Sequence, residues 1–168
     1  MPCVVPRPLY GDMPRQHRMS RTSCWQSAGL MPGVSDPAVD GPALLDASTV
    51  LALLFEEPGA EVVRAQLRTG VIGAANLAEV LAKLSDHSLP AQEAACAVAI
   101  LGLKVAPMTE GQAQRSAELR PAMRSAGLSL GNCACLAFAM ELGAPALTAN
   151  RSWAGIAEAA GVAVQVVR

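Results

Sequence analysis

From Ala43 onward, short apolar runs alternate with stretches whose apolar residues recur at helical spacing. "ALLD" reads as a strand ending at Asp46, and "STVLALLFEE" as a helix with Ser48 as its N-cap. "PGAEVVRAQLR" opens a second helix behind Pro58 and Gly59, and "GVIGA" is a short second strand. In "NLAEVLAKLSDHS", Leu77, Val80, Leu81 and Leu84 fall at i, i+3, i+4 and i+7, one face of a strong helix. "PAQEAACAVAILG" is helical with Pro90 in its first turn, and "LKVAPM" is a third strand. "TEGQAQRSAELRPAMRSAG" is a helix capped by Thr109, which Pro121 should kink or split. "LSLGNCACLAFAMELG" reads as a buried helix closed by Gly143. "APALTA", "RSWAGIAEAAG" and "VAVQVV" then predict a fourth strand, a last helix and a fifth strand.

Strands alternating with helices imply right-handed crossovers and a parallel sheet covered on both faces. Short, wholly apolar strands suit that burial. Residues 1–42 break the pattern. They hold seven of the twelve prolines, with scattered Arg and Ser and no period. They read as a disordered extension, or as a mis-assigned start, since Met13, Met19 and Met31 are alternative first residues. The folded domain is expected over residues 43–168.

Composition narrows the function classes. A length of 168 residues with 52% apolar side chains supports one domain with a real core. A net charge of −1 gives no general electrostatic grip on nucleic acid, although a local basic patch remains open. Five cysteines without regular spacing argue against a disulfide framework, and Cys133 and Cys135 read as buried free thiols. No apolar run reaches the roughly 20 residues of a membrane span, and prolines break any signal core, so a soluble cytoplasmic protein is expected.

In an open parallel sheet, sites form beyond the carboxyl ends of the strands. Four polar residues interrupt apolar text there: Asp46 after the first strand, Glu79 in the helix after the second, Asn132 in the helix before the fourth, and Asn150 after the fourth. Each has an ordinary structural explanation. Asp46 and Asn150 could cap helices, and Asn76 with Glu79, or Ser129 with Asn132, have the spacing of a capping box. Their convergence on one sheet edge is less easily dismissed. Phosphate-binding glycine motifs are missing, and neither His17 nor His87 forms a credible nucleophile–base pair. A phospho-receiver is disfavoured because the last strand supplies no lysine. Any chemistry here runs on carboxylates and a metal.

"LLDASTVLALLFEEPGAE", "NLAEVLAKL" and "GLSLGNCACLAFAMELGAPALTANRSWA" resemble, in order, the successive blocks of a PIN domain of the VapC toxin branch. The resemblance covers roughly residues 43–168. It implies a three-layer α/β/α sandwich with a five-stranded parallel sheet. It also implies RNA cleavage dependent on Mg²⁺ or Mn²⁺, a cognate antitoxin and a homodimer. The four acid positions of such a site fall on Asp46, Glu79, Asn132 and Asn150, so two expected carboxylates are amides. Ser48, Asn76, Ser129 and Thr148 match supporting polar positions. Arg115, Arg120, Arg124 and Arg151 are the candidate RNA contacts, with solvated helix surface as their plainer reading.

The amides matter. A unit charge about 4 Å from a divalent ion, at an effective dielectric near 20, is worth roughly 8 kcal/mol gross. An Asn oxygen can coordinate, but it brings no full charge and is no general base. Two readings follow: a metal-dependent endoribonuclease, or an inactive PIN module that retains RNA or antitoxin binding.

Overall fold

The structure is a computed structural model that describes residues 41–168 apart from Ala154. The extension expected over residues 1–42 thus lies almost wholly outside the described residues.

Five strands form one parallel sheet: β1 (Leu44–Leu45), β2 (Val71–Gly73), β3 (Lys104–Ala106), β4 (Ala146–Thr148) and β5 (Val164–Val166). Their order is β3-β2-β1-β4-β5. The helices are α1 (Ala47–Leu54), α2 (Ala60–Ala65), α3 (Ala74–Asp86), α4 (Ala91–Ala99), α5 (Glu110–Ser125), α6 (Leu130–Leu142) and α7 (Ala157–Ala160), with a 3₁₀ turn at Arg151–Trp153.

Side-chain alternation along the strands divides the core. Leu44, Val71 and Ala146 face one layer, built from α5, α6 and the Trp153 segment. Leu45, Ile72 and Leu147 face the other, built from α1 to α4. Helices on both faces explain why the strands are apolar throughout rather than alternating. The expected α/β/α sandwich is therefore observed. Along α6, every residue from Asn132 to Ala139 is buried, which fits its apolar text.

Some local expectations need correction. Asp46, not Ser48, is the N-cap of α1; its carboxylate accepts from the Ser48 N–H. Asn76 does not cap α3, which begins at Ala74 behind Gly73; it is instead a buried first-turn residue. Pro121 does not split α5, which runs unbroken from Glu110 to Ser125. Pro121 and Ala117 are both exposed, so water can satisfy the carbonyl that loses its partner. The last helix is interrupted: a 3₁₀ turn precedes a four-residue α7. Cys133 and Cys135 are buried and free, as their place in an apolar helix led one to expect.

Candidate functional site

The sheet order changes direction at β1. The chain passes from β1 outward to β2 and β3, then returns to pair β4 on the other side of β1. The crevice beyond the carboxyl ends of β1 and β4 is the natural place for a site in such a sheet. Asp46 follows β1 directly, with no loop before α1, and is only 1% exposed.

Both carboxylate oxygens of Asp46 are enclosed by donors. Oδ1 accepts from Asn76 Nδ2 at 3.2 Å and from Asn132 Nδ2 at 3.2 Å. Oδ2 accepts from Ser48 Oγ at 2.7 Å and from Thr148 Oγ1 at 3.1 Å. Ser48 Oγ in turn accepts from the Ala149 N–H at 2.9 Å, which ties α1 to the end of β4. Asn76 also donates to the Gly131 carbonyl at 3.2 Å, which ties α3 to α6.

Asn132 has two roles. Ser129 and Asn132 form a capping box at the start of α6: Ser129 Oγ accepts from the Asn132 N–H, and Asn132 Oδ1 accepts from the Ser129 N–H at 2.8 Å. The Ser129 N–H can only donate, so the oxygen of the Asn132 amide must face it. The amide nitrogen is thereby turned toward Asp46. Capping and site placement, alternatives in the sequence, coexist in this residue.

Glu79 is half-buried on α3, with its Oε2 against Gly131: a Cβ at that glycine would stand 2.5 Å from it. It makes no hydrogen bond among the described residues. Burial and then the nearby Asp46 charge raise its carboxyl above the ordinary value of 4.5, with Lys83 opposing. Cys135 lies behind the site, fully buried, and its thiol is raised by burial, then by Asp46 and Glu79.

Asn150 sits at the rim. Its N–H donates to Thr148 Oγ1 at 3.0 Å, and its Oδ1 accepts from the Ser152 N–H at 3.0 Å, as a cap of the 3₁₀ turn. It reaches Asp46 only through Thr148.

The candidate RNA-binding arginines do not share one face. At 100° per residue, Arg115 and Arg124 lie on opposite sides of α5. Arg115 pairs with Glu118 at 2.7 Å. Arg120 turns inward: its guanidinium donates to the Leu128 carbonyl and lies against Cys133. Arg124 is exposed without a partner among the described residues, and Arg151 Nε donates to the Arg168 carbonyl at 3.3 Å. A cavity of about 300 Å³ between α5 and α6 is lined by Gly111, Gln112, Arg115, Ala137, Met140 and Glu141; none of the residues around Asp46 lines it.

Two participants escaped the sequence reading. Gly131 supplies a carbonyl to Asn76 and, lacking a side chain, room for Glu79. Its place directly before Asn132 was the signal that could have found it. Cys135 is buried close enough to Asp46 and Glu79 for their charges to raise its thiol, and nothing in its local text separates it from Cys133.

A divalent ion fits this donor set poorly. Among the described residues, no three His, Cys, Asp or Glu side chains are grouped to hold a metal. Mg²⁺ asks for oxygen ligands in near-octahedral array. Here the oxygen of Asn132 is committed to Ser129, its amide protons point inward, and Asp46 is already encircled by donors.

The fold and this edge define a doubly wound α/β protein with its polar site at the switch in strand order. The chain belongs to the PIN domain family, whose family model matches residues 43–159. Solved structures agree in fold. A toxin–antitoxin complex from Klebsiella pneumoniae matches at TM-score 0.54 and 22% identity over 75% of this chain and 98% of that one. VapBC2 from Rickettsia felis, bound to a promoter DNA fragment, matches at TM-score 0.57 and 15% identity over 74% and 98%. VapBC-1 from nontypeable Haemophilus influenzae matches at TM-score 0.56 and 19% identity over 74% and 97%. No curated protein sequence matches the chain significantly.

Proposed function

We propose that this chain is a VapC-like PIN protein of a toxin–antitoxin pair, with a small antitoxin as its protein partner and a homodimer as its own assembly. PIN domains generally work with divalent metals, and the chemistry of the type is hydrolysis of RNA phosphodiester bonds. In such a site Asp46 and Glu79 would be the retained acids, with Asn132 and Asn150 at the other two positions. Mg²⁺ or Mn²⁺, when bound in a PIN site, orients the phosphate and activates water. In this chain, Asp46 is held by hydrogen bonds and Glu79 is the one carboxylate free to accept a proton or approach a substrate.

One observation favours the non-cleaving form of this reading: the amide nitrogen of Asn132 is directed at Asp46, where a metal site presents oxygen. The chain then acts by binding, to antitoxin or RNA, rather than by cutting. The test incubates the full chain with structured RNA and Mn²⁺, and separately co-expresses it with the product of the adjacent gene. Intact RNA together with a stable complex supports the proposal. RNA cleavage that disappears in Asp46→Ala overturns the non-cleaving form, and failure to form any complex overturns the toxin–antitoxin role.

A further inference from the structure

We infer that Asn132 is a built-in substitute for the cation, so that the Asp46 site is complete and stable without any divalent metal. The inference rests on the PIN reading for the statement that a cation belongs there, and on geometry for the rest. A PIN-type site without metal is expected to hold uncompensated carboxylates that repel, and the ion relieves them. Here the relief comes from the chain itself. Asn132 Nδ2 donates to Asp46 Oδ1 from one side and Asn76 Nδ2 from another, while Ser48 and Thr148 supply hydroxyl donors to Oδ2. With the longer contact from the Ser48 N–H at 3.4 Å, five donors surround the carboxylate, which fills its roughly four lone-pair sites.

The two amides have fixed orientations, because each meets groups that can act in only one sense. The Ser129 N–H only donates, and this holds the Asn132 oxygen away from Asp46. The Gly131 carbonyl only accepts, and this holds the Asn76 nitrogen toward it. Neither amide can flip to offer an oxygen to an ion without breaking a bond on its far side. The capping box therefore acts as a lock on the substitution. A cation entering this site has to displace two amide donors, and gains one charge from Asp46 and one from Glu79.

Asn132→Asp separates this from a simple helix cap. As a cap, Asp replaces Asn well and is favoured by the helix dipole, so stability without metal would hold or rise. As a cation substitute, the change removes a donor and sets a second carboxylate against Asp46, so stability without metal falls and metal restores it.

The experiment measures thermal unfolding of the full chain and of Asn132→Asp, each in EDTA and across a Mn²⁺ titration, with calorimetric Mn²⁺ binding alongside. The wild type is expected to melt at one temperature throughout and to show no saturable binding. Asn132→Asp is expected to melt lower in EDTA, to regain its midpoint with Mn²⁺, and to show saturable Mn²⁺ binding where the wild type shows none, the effect of one added charge. Saturable Mn²⁺ binding with a raised midpoint in the wild type overturns the inference, and does so even if Asn132→Asp does not fold. A variant more stable in EDTA and indifferent to Mn²⁺ also overturns it. Neither readout involves RNA or antitoxin, so failure here is distinct from failure of the proposed function.

Discussion

Asp46→Ala is predicted to destabilise the protein strongly, whereas removing an acid from a repulsive metal site stabilises the metal-free fold. The magnitude follows from the partners. Ser48 is half-buried and can turn its hydroxyl to Thr148, 3.1 Å away, or to water. Asn132 Nδ2, Thr148 Oγ1 and one N–H of Asn76 remain buried and lose their acceptor. Each such donor costs about 1–3 kcal/mol, and the lost cap of α1 costs about 1 kcal/mol more. Water entering the vacated space and relief of the Glu79–Asp46 repulsion offset part of this. A net loss of about 3–5 kcal/mol is expected, in line with removing one partner of a buried charged network. At roughly 4 °C per kcal/mol for a domain of this size, the midpoint falls by about 12–20 °C. Urea denaturation followed by circular dichroism in EDTA measures it, with the m-value as a check that the unfolded state is unchanged. A midpoint equal to or above that of the wild type refutes the reasoning.

Glu79→Gln is predicted to raise stability at neutral pH. The folded-state pKa of Glu79 lies above its ordinary value of 4.5, so between those two pH values the folded state holds the extra proton. Stability from this group is present at low pH and is lost as pH rises through the folded pKa. Urea midpoints should therefore differ between wild type and Glu79→Gln at pH 7 and converge near pH 4; a constant difference would count against the shift. Arg120→Ala removes the clamp on the Leu128 carbonyl and should cost about 1–2 kcal/mol in the same assay, without altering the salt dependence of RNA binding. Neutralising Arg124 and Arg151 should weaken RNA binding across sequences and lower its salt slope by about 1 for each phosphate that an arginine no longer neutralises. A slope unchanged by that pair would remove them as RNA ligands.

The layered fold was legible because each strand is a short apolar run bounded by helical spacing, and both sheet faces demand apolar text. Caps were less legible, because several residues compete for one role. Asp46 and Ser48 stand two apart, and spacing does not say which starts α1. Asn132 shows the limit most clearly. Its spacing from Ser129 marks a capping box, and the resemblance to a PIN domain sets it on an expected acid position. Only the three-dimensional direction of its nitrogen shows that one side chain both completes the cap and donates to Asp46. Pro121 misled because a proline's cost depends on whether the orphaned carbonyl can reach water, and local sequence does not report exposure.

The pairing of β1 with β4 sets a schedule for biosynthesis. Asp46 meets Thr148 across 102 residues and Asn132 across 86. A ribosome delivers the amino-terminal end first, so β1 emerges long before its central neighbour exists. Until residue 148 is free of the tunnel, the Leu44–Leu45 strand has an open side and Asp46 lacks its Thr148 donor. A translational pause at any point before residue 148 clears the tunnel would prolong that exposed, aggregation-prone state. Codon choice in the stretch translated while residue 148 is still enclosed is thus expected to influence soluble yield without changing a single amino acid.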